Sequence, residues 1–202
     1  MNTPERRLLL IDESDDIVHG GLTYVVACAV VLTGDAAMLA TNLRTVLSAN
    51  PDRTRPFHWS SEGPILRARM LEAAASRAEV AYAVIGQIDG SHGQEAVRYG
   101  CLRTLLRLSA RDADEIVVES RERALRNVGQ NRTDHRAIVD ARHAGDVSPQ
   151  LRYRWADKTD PLVWAPDAIA GMALAMRRAD SRWLDLFVAA GGGDLRVVAI
   201  DP

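Results

Sequence analysis

Two short apolar runs in this chain each end in a carboxylate: Leu8-Leu9-Leu10-Ile11 leads into Asp12, and Ile116-Val117-Val118 leads into Glu119. An ionised acid beside an apolar core is costly unless something compensates it. A divalent cation does so when two such acids converge. A third acid, Asp167, follows Pro166 at the opening of a predicted helix. Two strand-end acids and one helix-borne acid are the parts of a site that cleaves phosphodiesters with two metal ions. Mg2+ or Mn2+ takes oxygen ligands, and three carboxylates suffice when water and phosphate complete the shell. One ion then activates water and the other stabilises the leaving oxygen, the pair sitting about 3.5–4 Å apart. Asp12 is the expected bridge, with Glu119 and Asp167 each completing one ion's site. The competing account is that acids fall at strand ends by chance.

Around these three stand further candidates. At i+3, i+4 and i+7 from Asp167 are Ala170, Gly171 and Leu174, two of them very small, so the helix is expected to lie close to the sheet. A first-turn position also favours an anion. Lys158 and Arg123 are candidate phosphate contacts, or simply solvent-exposed charges. His58 and Trp59 follow Pro56 in an irregular segment. They form one wall of a cleft, with Trp59 stacking on a base as aromatics do with single strands, or else Trp59 is buried under a loop. Glu13 is adjacent to Asp12, and strand alternation sends it to the opposite face.

Between Arg121 and Lys158 stand eight arginines and one lysine against five acids, an excess of four positive charges. A basic rim beside an acidic metal pocket suits a polyanionic substrate; a solvated helix face explains it equally well. The whole chain carries a net charge of −2, which by itself gives no support to nucleic-acid binding.

The elements that must position these residues follow from periodicity. Arg7 to Asp12 reads as a first strand, and Gly20-Gly21 as a turn into a second strand, Leu22 to Leu32. Helices are expected over Asp35 to Ser48 and Pro64 to Arg77, then a strand over Glu79 to Ile88. A helix over Gln94 to Ala110 has Val97, Cys101, Leu102, Leu105 and Leu108 inward. Glu115 to Glu119 is a strand, Thr133 to Ala144 a helix, and Leu151 to Ala156 a half-exposed strand. Pro166 to Arg178 and Ser181 to Ala189 read as helices, and Leu195 to Ile200 as a last strand. This order predicts an α/β fold with a mixed sheet, early strands antiparallel and later ones parallel, flanked by helices. A phosphoacceptor receiver domain is set aside, because there a helix follows the first strand.

The 202 residues fit one domain over 1–202, and a hydrophobic fraction of 47% is that of a globular protein rather than a disordered one. The longest apolar stretch, Tyr24 to Leu32, is nine residues, too short to span a membrane. Cys28 and Cys101 lie inside predicted elements without metal-ligand spacing, which points to the cytoplasm.

A set of short motifs then carries a resemblance. These are Ile11-Asp12-Glu13-Ser14, a Tyr24-Val25-Val26 strand, His58-Trp59, Val117-Val118-Glu119-Ser120, Ala156-Asp157-Lys158-Thr159-Asp160-Pro161-Leu162-Val163-Trp164, and Pro166-Asp167-Ala168-Ile169-Ala170-Gly171. The chain resembles the domain-of-unknown-function-3800 family, which is grouped with ribonuclease H-like proteins. The likeness runs over roughly residues 7 to 178 and is most specific from Ala156 to Gly171. Asp15 and Asp16 stand where family members more often carry Gly. The resemblance implies a ribonuclease H-like fold and a metal-dependent nuclease, with Asp12, Glu119 and Asp167 as its acids and nucleic acid as substrate. The rival expectation is a catalytically inactive module of the same fold that binds nucleic acid or a protein partner.

Overall fold

Along the first strand, alternate residues enter two different helical layers, and that parity decides where each acid points. The computed structural model describes residues 6–49, 55–89, 92–111, 113–122 and 131–200. The first strand, β1 (Arg7–Val18), is apolar on both faces from Leu8 to Ile11 because helices cover both sides of it. It turns at His19 and Gly20, whose φ angles are 51° and 82°, into the antiparallel strand β2 (Gly21–Leu32). Strand β3 (Val80–Ile88) runs antiparallel to β2. On the other side of β1 lies the parallel strand β4 (Glu115–Glu119), followed by β5 (Arg152–Ala156), parallel to β4. Strand β6 (Asp194–Ile200) is parallel to β3 at the far edge. The order is β5-β4-β1-β2-β3-β6. This is the ribonuclease H-like α/β arrangement, antiparallel through the first three strands and parallel elsewhere.

One face packs against α1 (Ala36–Ser48), α2 (Pro64–Ala75), α5 (Trp164–Arg177) and α6 (Arg182–Ala189), burying Leu8, Leu10 and Val117. The other packs against α3 (Gln94–Ser109) and α4 (Arg132–Ala144), burying Leu9, Ile11 and Val118. Asp12 continues the Leu8, Leu10 series and Glu119 the Val117 series, so both belong to the face that carries α5. Glu13 continues the Leu9, Ile11 series and belongs to the face of α3 and α4.

Two expectations are corrected. The first strand does not stop at Asp12: it continues to Val18, paired with β2 as far as Gly21. Asp15 and Asp16 do not end it, because beyond the β4 ladder β1 is an edge strand paired only with β2, and with solvent on its other side these acids are not buried. What ends near Asp12 is the pairing with β4, whose last ladder pair is Ile11 with Val118. On α3, Leu108 is exposed and Arg98 occupies the apolar face instead.

Among the described residues, no helix is long and apolar enough to cross a membrane. Cys28 and Cys101 are free thiols within the α3 side of the core, and burial pushes both up to about 12. Neither is expected to react with iodoacetamide at pH 8 in the native protein, whereas both react in denaturant. Mass spectrometry of labelled protein checks this; rapid native labelling of Cys28 would mean that the core opens.

Candidate functional site

Asp12, Glu119 and Asp167 meet around the ammonium of Lys158. The Lys158 Nζ donates to Asp12 Oδ2 at 3.2 Å and to Glu119 Oε2 at 2.6 Å, and lies 3.5 Å from Asp167 Oδ2. No two of these oxygens are further apart than twice the longest of those distances. All three acids are buried. They arrive from separate elements: Asp12 from mid-β1, Glu119 from the end of β4, and Asp167 from the first turn of α5.

The loop after β5 is built to place Lys158. Ala156 pairs with Glu119 at the end of β5. Asp157 Oδ1 then accepts from the Thr159 amide at 2.9 Å, and Asp160 Oδ1 caps a 3-10 turn over Pro161–Val163 by accepting from Leu162 at 3.0 Å. Trp164 Nε1 donates to the Lys158 carbonyl at 2.7 Å, fixing the backbone from which the side chain springs. Burial works against the Lys158 charge, but Asp12, Asp167 and Glu119 outweigh it and hold the ammonium above the ordinary lysine range. Burial also pushes the Asp12 carboxyl well above the usual carboxylate range; Lys158 opposes that, and Glu119 and Asp167 add to it.

Asp167 is held from its other side. Its Oδ2 accepts from the Trp59 amide at 3.1 Å, and His58 Nδ1 lies 3.5 Å away. Its Oδ1 is buried and has no hydrogen-bond partner among the described residues. The second oxygen of Asp12, Oδ1, accepts from the Glu13 amide at 2.7 Å. A cleft of about 320 Å³, open to solvent, is lined by Asp12, Glu13, His58, Glu119, Arg121 and Lys158 among others, while Asp167 is buried behind Lys158 and His58 and is not part of that lining.

The expected substrate contacts are redistributed. Trp59 does not offer a face to a base: it is buried, packed edge-on against Trp183 and covered by the Arg67 guanidinium. The small residue at 171 serves this ring rather than closeness to the sheet, since a Cβ on Gly171 would sit 2.1 Å from the indole. Gly171→Ala is therefore expected to destabilise by about 1–3 kcal/mol through overpacking, against a helix-propensity gain of only about 1 kcal/mol. A urea melt checks this, and in a Trp59→Leu background the same change should become neutral or stabilising.

His58 stays exposed at the cleft. Lys158 turns its ammonium inward to the acids rather than outward to a phosphate, and Arg123 lies outside the described residues. Among the described residues, the basic stretch does not form a rim. Arg136 pairs with Asp140, Arg152 with Glu115, and Arg154 with Glu115 and Asp160. From that stretch only Arg121 and Lys158 line the cleft among the described residues.

Sequence reasoning missed the group behind β1. Arg98 donates to Asp134 through Nε at 2.6 Å and NH2 at 2.7 Å, to the Tyr24 hydroxyl at 2.6 Å, and pairs with Glu13. A signal existed: Arg98, Cys101, Leu102 and Leu105 share one helical stripe, which puts a charge on an apolar face.

No protein-family model matches the chain, and no curated protein matches it. The structure itself shows a ribonuclease H-like sheet and three carboxylates that this sheet and α5 bring together.

Proposed function

We propose that this chain belongs to the domain-of-unknown-function-3800 family and is a divalent-metal-dependent phosphodiester hydrolase acting on nucleic acid in the cytoplasm. Asp12, Glu119 and Asp167 would hold Mg2+ or Mn2+. The observation that carries this reading is the convergence of three buried carboxylates, with Asp167 Oδ1 left without a partner among the described residues. An acceptor buried that way is costly unless a ligand completes it. Oxygen donors of this kind suit a hard cation. Among the described residues, no group of three or more His, Cys, Asp or Glu side chains is arranged to hold a metal as it stands, and the Lys158 ammonium occupies the point of convergence.

When bound, a divalent ion supplies a polarised water and charge stabilisation at the scissile phosphate. The chain's own residues do the rest. The Trp59 amide orients Asp167, and the ladder between β4 and β5 fixes Glu119. With Asp12, Glu13, Asp15, Glu95 and Glu119 at the cleft against Lys158 and Arg121, the opening repels phosphate until a cation enters. Substrate binding should therefore depend on the ion.

The test is incubation of the pure protein with labelled single-stranded, double-stranded and hybrid substrates, with Mn2+ or with chelator. Cleavage is expected with the ion alone; intact substrates throughout would remove the reading. A second reading, an inactive binding module, is favoured by Lys158, which offsets part of the acidic charge without any metal. Such a module would show affinity for nucleic acid or a protein indifferent to chelator.

A further inference from the structure

We propose that Lys158 is a built-in cation standing in for one of the two metal ions, so that Asp12, Glu119 and Asp167 take a single divalent ion beside the ammonium. This rests on the metal-site reading above and specifies its stoichiometry.

The first ground is geometric. One Nζ reaches all three carboxylates, at 3.2, 2.6 and 3.5 Å, which is the contact set a bridging cation would have. The second is that the position is prepared: Trp164 Nε1 and the Asp157 and Asp160 side chains fix the loop that presents Lys158. The third is the choice of residue. Lys158 is the only lysine in a chain with 24 arginines. An ammonium is a compact charge that here donates to Asp12 and Glu119 and stays within ion-pair reach of Asp167, three acids arriving from separate elements; a planar guanidinium presents a flat fork instead.

Charge leads to the same count. Three carboxylates carry three negative charges; the ammonium removes one and a single divalent ion the other two. A second divalent ion would leave this group of three acids and one ammonium net positive before substrate arrives and would sit against the ammonium. What remains for the single ion includes the buried Oδ1 of Asp167, which no described group satisfies.

The test is Mn2+ titration of the full chain, followed by calorimetry and electron paramagnetic resonance. Two Mn2+ ions about 3.5–4 Å apart are spin-coupled, whereas one ion gives an uncoupled six-line spectrum. The native protein is expected to bind one ion at the site and to stay uncoupled to saturation. Lys158→Met is expected to bind two and to show coupling. A coupled pair in the native protein overturns the inference while leaving the metal site standing. So does a Lys158→Met protein that still takes one ion. No bound Mn2+ in the native protein, and no difference from Asp12→Asn, removes the metal-site reading and the inference together. If Lys158→Met does not fold, the native spectrum decides alone: uncoupled supports, coupled overturns.

Discussion

Asp12→Asn is expected to lower divalent-dependent cleavage by about 10²–10³-fold or more, the scale of loss when one preorganised charge leaves a reacting site. The same change is expected to raise the melting temperature of the metal-free protein. The two effects have one cause. Burial and the neighbouring Glu119 and Asp167 make a charged Asp12 unfavourable in the fold, and Lys158 does not fully offset them. An acid whose folded pKa is raised holds its proton more tightly when folded. Its destabilising effect is complete above the folded pKa and vanishes as pH falls to the unfolded value. In chelator, the melting advantage of Asp12→Asn should thus be largest at neutral to alkaline pH and should shrink as pH falls toward the ordinary carboxylate range. Added Mn2+ should reverse the order, because a ligand that binds only the native state stabilises it by mass action. A variant that melts below the native chain in chelator at neutral pH would show that the Lys158 contact outweighs burial, and the argument from charge shortage would fail.

That combination matters because the two readings of the pocket differ on it. A structural salt-bridge cluster loses stability when one of its acids is neutralised, since its partner is left buried and unpaired. A pocket kept short of positive charge for a ligand gains stability, at the expense of activity. Lys158 keeps Glu119 and Asp167 as partners after Asp12 is neutralised, so the first effect is small here.

Much of this arrangement was legible in the sequence, for reasons that can be named. The apolar run from Tyr24 to Leu32 and the helical stripe at Val97, Cys101, Leu102 and Leu105 are strong periods, and both elements form where expected. Asp12 and Glu119 were legible because strand parity extends an apolar series to its first charge. The reach of β1 was not, because an edge strand held only by β2 tolerates Asp15 and Asp16 in a way that a strand covered on both faces would not. The direction of Trp59 depends on the missing side chain at Gly171, a distant contact that no local pattern reports. The role of Lys158 depends on the loop that Trp164 pins, although its being the lone lysine was a visible clue.

Behind β1, Arg98→Met is expected to cost about 3–5 kcal/mol, the penalty for stranding a buried partner of an ion pair. The Arg98 guanidinium is 1% exposed and grips Asp134, 0% exposed, with two parallel hydrogen bonds. It also pairs with Glu13 and donates to the Tyr24 hydroxyl. Removing it leaves Asp134 charged in the core with only the Arg121 guanidinium, 4.0 Å away, beside it, while Glu13, at the cleft, can turn to water. Arg98→Lys should recover little, because an ammonium cannot reproduce the fork. Arg98→Met combined with Asp134→Leu should recover most of the loss, since well-packed apolar replacements of buried pairs are often neutral. Urea unfolding of the two single variants and the double variant closes the cycle, with an interaction energy expected at the upper end of the usual 0.5–3 kcal/mol scale for contacting residues. A single-variant cost below about 1 kcal/mol would place the pair in the range of solvated surface bridges. The pair joins α3 to α4 and reaches β1 through Glu13, next to Asp12, so its loss should also loosen the cleft floor. Under native conditions, that loosening should appear as faster hydrogen exchange at Glu13 and Ser14 before global unfolding is seen.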